Sequence, residues 1–185
     1  MLVLASASPR RQELLRNAHI AFEVQPANID EDPLPNEFAK AYAERLAREK
    51  AQAIAQKRPH DAVLGADTVV IIDHQILGKP ANSADAARML RLLSGRTHHV
   101  ITGVCLAVGG HNEVASETTA VTMSEISEDE IAAYIATGEP MDKAGAYAIQ
   151  GIASRWIPRI EGDYSNVVGL PVARVFQMLR NAHLI

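Results

Sequence analysis

The chain has 185 residues, 48% of them apolar, enough for one domain with a real core and no need of cross-links. Its 18 basic and 22 acidic residues leave a formal net charge of −4, which argues against a non-specific DNA binder and points any local basic cluster toward a small anionic ligand. The single cysteine excludes a disulfide framework, and no apolar run approaches the roughly 18 residues of a membrane span.

The pattern predicts elements from the first residue onward. "MLVLAS" reads as a short buried strand, and "PRRQELLRNAH" as a helix with Ser8 as N-cap, Pro9 in the first turn and Leu14 and Leu15 facing inward. "AFEVQP" is a second strand, and "NIDEDPLPNE" an acidic loop. "EFAKAYAERLAREKAQAIAQKR" is a long Ala-rich helix with Pro59 just beyond it. "AVLGADTVVIID" is a strand, followed by a turn and a short return strand in "QILGKP". "SADAARMLRLLSG" is a helix with Ser83 as N-cap and Gly95 as C-cap.

"THHVITGVCLAV" and "HNEVASETTAVTMS" form a hairpin about Gly109-Gly110, a pair suited to the positive φ of a two-residue turn. "SEDEIAAYIATG" is a helix with a Ser127–Glu130 capping box. "RWIPRIEG" and "NVVGLP" read as strands around a turn, and "PVARVFQMLRNA" closes the chain as a helix. Alternation of strands and helices, broken by one hairpin, predicts an α/β fold on a mixed sheet, in two lobes with a central cleft. With no repeat or long linker, residues 1–185 are read as a single domain.

Several residues are out of place by local rules, which is where function tends to show. Arg10 and Arg11 fall in the first turn of a helix, at the positive end of its dipole. A bound anion repairs that conflict, since helix N-terminal amides beside guanidinium groups suit phosphate. Asp67 and Thr68 sit in an otherwise small or apolar strand. A carboxylate there needs a cation, a metal or several donors, so Asp67 is read as a metal ligand or general base, against a turn-forming Asp at a strand break after Gly65.

Lys50 lies inside the apolar arc defined by Phe38, Tyr42, Leu46 and Ala53, either as a phosphate contact or as a lysine snorkelling at the stripe's edge. Lys79 in "LGKP" and Lys143 in "MDKAGAY" lie in Gly- and Ala-containing loops; taken singly, each reads as solvated. The acidic loop carries Asp30, Glu31 and Asp32; Glu31 with Asp67 supplies the carboxylates that a Mg²⁺-dependent phosphoryl enzyme needs.

Other constellations are missing. No phosphate-binding P-loop, dinucleotide fingerprint or nucleophile elbow occurs, and the seven histidines show no zinc-like spacing. His98 and His99 point to opposite strand faces and read as structural. Cys105, in an apolar run, reads as a buried inert thiol. The N-terminus shows no signal-peptide pattern, so the cytosol is the expected compartment.

Taken together, "LASASPRR", "LAREKA", "LGADTVV", "GKP", "LSGRTHHVITGV", "DKAGAYAIQG" and "VVGLP" resemble the Maf family of nucleoside triphosphate pyrophosphatases, from about Leu4 to Leu179. The resemblance implies a Maf/ITPase-like α/β fold with a cleft. It also implies hydrolysis of a nucleoside triphosphate to monophosphate and pyrophosphate with a divalent metal, Mg²⁺ or Mn²⁺. The family's proton acceptor matches Asp67; its basic and polar positions match Ser8, Arg11, Lys50 and Lys79, and its acidic one Glu31. The three positions that separate the family's branches match Arg10, Thr68 and Gln150, the pattern of the branch acting on dTTP and UTP. "ASP" stands here where many members have "GSP".

The expected partner is therefore a nucleoside triphosphate, with no membrane and no nucleic acid, and the resemblance is compatible with a homodimer. Ser8, Arg10, Arg11, Lys50 and Lys79 are expected to neutralise the triphosphate. Glu31 and Asp67 are expected to hold metal, with the role of Asp67 open between ligand and base. The competing reading is a nucleotide-sensing regulator of cell division that binds without turnover, since the family is also associated with septum inhibition.

Overall fold

The computed structural model describes residues 1–185. A seven-stranded sheet runs β2-β1-β3-β5-β6-β7, with β4 paired to β3. Its strands are β1 (Leu2–Leu4), β2 (Glu23–Val24), β3 (Ala62–Ile72), β4 (Gln75–Leu77), β5 (Thr97–Val108), β6 (His111–Thr122) and β7 (Arg159–Glu161). β1 is parallel to both β2 and β3, whereas β4 is antiparallel to β3 and β7 to β6, so the sheet is mixed as expected.

The helices are α1 (Pro9–Asn17), α2 (Ala39–Ala55), α3 (Ser83–Leu93), α4 (Glu128–Ala136), α5 (Tyr164–Val168) and α6 (Val172–Asn181). No helix is long and apolar enough to cross a membrane. Two compact units emerge along the chain. One comprises Met1–Thr68, Thr102–Glu117 and Ser165–Ile185; the other comprises Val69–Ile101 and Thr118–Tyr164.

The first unit is layered by the period-2 alternation of its strands. Leu2, Leu4, Leu64, Ala66, Val104 and Leu106 pack on Leu15 of α1 and on Val175, Met178 and Leu179 of α6. Val3, Ala5, Val63, Cys105 and Ala107 point the other way, onto Ala47, Ala51 and Ile54 of α2. The second cluster is built of small residues because the backbones approach closely. A Cβ on Gly65 would lie 2.1 Å from the Ala47 carbonyl oxygen, and one on Gly103 would lie 2.4 Å from the Ala43 carbonyl. Only glycine fits at those two strand positions.

That close approach corrects the sequence reading of α2. Its buried stripe is Ala39, Ala43, Leu46, Ala47, Lys50, Ala51 and Ile54, whereas Phe38 is exposed. The alanines face the sheet because bulk would push the helix away from it.

In the second unit, α3 packs on α4, and His98 and Tyr147 meet edge-on. The hairpin turn is as expected, with Gly109 and Gly110 at φ of 55° and 85°, and so is the Ser127–Glu130 capping box. Asn82, not Ser83, caps α3, accepting from the Asp85 amide at 2.9 Å, and Ser94 rather than Gly95 is its C-cap.

Two strand expectations near the C-terminus fail. "NVVGLP" begins inside α5, which ends before Gly169 at φ 134°. Of "RWIPRIEG" only Arg159–Glu161 is strand, because Ile152–Trp156 forms a 3₁₀ turn. Short apolar runs do not distinguish strand from helix by periodicity.

Candidate functional site

Asp67 and Thr68 are neighbours in β3, so their side chains leave the sheet on opposite faces. Asp67 faces α2 and Thr68 faces α1. β3 continues through both to Ile72, so Asp67 is a strand residue and not a turn former.

On the α2 side, Lys50 Nζ lies 2.7 Å from Asp67 Oδ1 and 2.7 Å from Glu31 Oε1. Lys50 and Asp67 are buried, while Glu31 is exposed on the acidic loop. The Glu31 backbone is tied to α2, since the Tyr42 hydroxyl donates to its carbonyl at 2.6 Å. Burial pushes the Asp67 carboxyl above the ordinary carboxylate range, against the opposing pull of Lys50 and Arg11. Burial, with the charges of Asp67 and Glu31 near it, also pushes Tyr42 up to about 12.

The hydrogen bond from Lys50 engages Oδ1 of Asp67. The second carboxylate oxygen, Oδ2, receives no part of that bond. Two carboxylates drawn to one point suit a hard divalent cation of the Mg²⁺ kind, which takes one or two carboxylate oxygens and completes its shell with substrate phosphates. The chain forms no cluster of three or more His, Cys, Asp or Glu that could hold a metal by itself. Such a site would need the substrate's oxygens.

On the α1 side, Ser8 caps the helix, its Oγ accepting from the Arg11 amide at 3.5 Å. The Arg11 side chain does not stay at the helix end. It turns into the core, where Nε donates to the Gly169 carbonyl at 2.8 Å and NH1 donates to Ser6 Oγ at 3.1 Å and to the Ala66 carbonyl at 2.9 Å. NH2 donates to Thr68 Oγ1 at 3.1 Å. Four of a guanidinium's five N–H groups are thereby used on protein acceptors. Burial lowers the Arg11 pKa, opposed by the charge of Asp67. Two buried carbonyls and two hydroxyls explain an arginine in this first turn as directly as an anion does, and they narrow its role toward phosphate to the one N–H left. Arg10, beside it, is half-buried.

Seven of the predicted residues thus belong to the first unit: Ser8, Arg10, Arg11, Glu31, Lys50, Asp67 and Thr68. Lys79 and Gln150 belong to the second, where both are exposed in loops. Lys143 is also there and is not solvated as expected, because its Nζ donates to the Glu139 carbonyl at 2.8 Å and to Asp142 at 2.6 Å.

Two residues read as structural, His98 and Cys105, are buried in the fold. His98 is buried, pushed down to about 4 by desolvation, with Nε2 at 2.7 Å from the Tyr147 hydroxyl. Cys105 is buried and its thiol is pushed up to about 11.

Sequence reasoning missed Ser6 and Thr102, both buried and both within this network. Thr102 carried the same signal as Asp67, a polar residue inside the apolar run "VITGVCLAV".

The sequence profile of the Maf family, described as Maf-like protein, matches residues 1–182. A protein of Koribacter versatilis named dTTP/UTP pyrophosphatase is 61% identical over 98% of this chain and 94% of its own length. A protein of the same name from Symbiobacterium thermophilum is 52% identical over 96% of this chain and 92% of its own. A third, from Myxococcus xanthus, is 50% identical over all of this chain and 93% of its own. Among solved structures, the Staphylococcus aureus Ham1 protein is similar with a TM-score of 0.49 and 14% identity, covering 78% of this chain and 84% of that one.

Proposed function

The chain belongs to the Maf family, and on that premise we propose that it hydrolyses dTTP and UTP to the nucleoside monophosphate and pyrophosphate. The observation that carries the reading is the buried Asp67 carboxylate, held at Oδ1 by Lys50. Its relatives' shared name supplies the substrates.

In this mechanism the triphosphate lies against the N-terminus of α1, where Ser8, Arg10 and the remaining Arg11 N–H meet it. Asp67, its pKa raised by burial, takes a proton from the attacking water. The new bond forms between that water oxygen and the α-phosphorus, and the bond from the α-phosphorus to the bridging oxygen breaks. Pyrophosphate leaves with the electron pair. Lys50 keeps Oδ1 occupied and holds Asp67 and Glu31 together. A divalent metal, held by Glu31 with phosphate oxygens while Asp67 acts as base, would supply charge neutralisation.

Thr68 and Arg10 read the base, and Lys79 and Gln150 keep the phosphate and base roles that the family resemblance implies. A glutamine offers both donor and acceptor, as the imide edge of uracil and thymine requires. The compartment this reading takes is the cytosol, where nucleoside triphosphates are abundant.

The test is a panel of dTTP, UTP, CTP, ATP, GTP and 7-methyl-GTP with Mg²⁺ or Mn²⁺, products resolved by chromatography. Monophosphate and pyrophosphate from dTTP and UTP are expected. Asp67→Asn should cost about a hundredfold or more in kcat, and Gln150→Glu should lower the ratio of UTP to 7-methyl-GTP turnover. Tight binding of a nucleotide with no product would overturn the reading in favour of a sensor.

A further inference from the structure

Behind Thr68 lies a chain of hydroxyl groups to which the mechanism gives no part. Thr102 of β5 is fully buried. Its Oγ1 lies 2.9 Å from Thr68 Oγ1 and 3.1 Å from the main-chain oxygen of Asn166. Thr68 Oγ1 also accepts from Arg11 NH2 at 3.1 Å and lies 3.4 Å from the Gly169 carbonyl. A hydroxyl has one proton to give and two lone pairs with which to accept.

A carbonyl only accepts, so the bond to Asn166 uses the Thr102 proton. Thr68 must then give its own proton to Thr102. Arg11 occupies one Thr68 lone pair, and one lone pair is left over. In the reverse orientation Thr102 donates to Thr68, and Thr68 turns its proton to the Gly169 carbonyl. That exchanges a contact of 3.1 Å for one of 3.4 Å. In both orientations the Thr68 proton stays within the protein, and only the first, with the shorter contacts, leaves Thr68 a lone pair for a ligand.

We propose that Thr102 is a positioning residue for substrate choice: it draws in the Thr68 proton, so that the half-buried Thr68 hydroxyl meets the nucleobase as an acceptor only. The chemistry selected is an imide N–H. Uracil and thymine carry one at N3, whereas cytosine presents a bare N3 lone pair, which would face the Thr68 lone pair. This inference rests on the reading of Thr68 as a base-contacting residue.

The experiment compares kcat/KM for UTP and CTP in the wild type and in Thr102→Val, Thr102→Ser and Thr68→Val. In Thr102→Val, Thr68 loses its 2.9 Å acceptor and keeps only the longer 3.4 Å contact to the Gly169 carbonyl, so a base that accepts can compete for its proton. The preference for UTP over CTP is expected to fall by about fivefold or more, the value of one hydrogen bond near 1 kcal/mol. Thr102→Ser restores the hydroxyl and should keep the wild-type preference. Should Thr102→Val not fold, Thr102→Ala carries the same comparison.

Equal loss for both nucleotides in Thr102→Val, or no rescue by serine, would make Thr102 merely structural and overturn the proposal. A change in preference in Thr68→Val but not in Thr102→Val also overturns it, while leaving the base-reading role of Thr68 intact. If the wild type turns over neither nucleotide, the functional reading fails by itself; the same ratio is then taken from dissociation constants for UTP and CTP, with the same expectations. A protein that neither binds nor hydrolyses them overturns both.

Discussion

Lys50 Nζ and Asp67 Oδ1 are 2.7 Å apart, on side chains only 9% and 11% exposed. Burial and this cation act on the carboxyl in opposite directions, burial raising its pKa and Lys50 lowering it. Replacing Lys50 by methionine removes the larger lowering influence and leaves only Arg11 to oppose burial and the Glu31 charge, which both raise it. Asp67 then ionises only at higher pH. The acid limb of the kcat/KM profile should therefore move to higher pH in Lys50→Met, with kcat reduced about a hundredfold. An acid limb that stays in place would separate Lys50 from the ionisation of Asp67.

Arg11 holds Ser6, Ala66, Thr68 and Gly169 through four hydrogen bonds. A lysine at this position has no fork with which to reach four acceptors. Arg11→Lys should leave buried carbonyls unpaired and cost about 3 kcal/mol, lowering Tm by on the order of 10 °C in a chain of this size. Calorimetric unfolding of the two proteins checks this. If Tm is unchanged while activity is lost, Arg11 serves the substrate and not the fold.

Gly65 sits two residues before Asp67 on the same strand face, where a Cβ would lie 2.1 Å from the Ala47 oxygen and 2.7 Å from the Ala51 amide. Gly65→Ala should push α2 outward, cost about 3 kcal/mol, and lower kcat/KM, because Lys50 travels with the helix. Denaturant unfolding and turnover, measured together, test the link. Stability lost with full activity would show that Lys50 tolerates the shift.

His98 makes stability depend on pH. In the unfolded chain it takes a proton near 6.5, but burial in the fold pushes it down to about 4. The unfolded state thus binds more protons between those values. Stability contributed by neutral His98 is full above about pH 6.5 and is lost as pH falls toward 4, by about 3 kcal/mol. His98→Gln, which keeps a polar group toward Tyr147, should lose less stability than the wild type between pH 7 and pH 4.5 in urea titrations. Parallel curves would contradict the assignment.

Much of the layout was legible from local signals. The N-cap at Ser8, the Ser127–Glu130 box, the Gly109-Gly110 turn and the long strand around Asp67 follow from short-range rules, and the structure has all four. The misses share one cause, that the deciding contact is distant in sequence. The buried stripe of α2 is set by Gly65 and Gly103, which draw the alanine face inward and leave Phe38 outside. "NVVGLP" is apolar enough for a strand, yet it enters a short helix whose end presents the Gly169 carbonyl to Arg11.

The sequence by itself determined which residues are chemically out of place. A carboxylate in an apolar strand, a lysine in a buried stripe and arginines at a helix start each violate a rule that covers only a few residues. Tertiary structure alone decided their partners. It paired Asp67 with Lys50, 17 residues away, and turned Arg11 onto Gly169, 158 residues away. The physical reason is that burial makes an unpaired charge costly everywhere, so sequence reveals the need for a partner, whereas direction and distance, which choose the partner, exist only once strands and helices are packed.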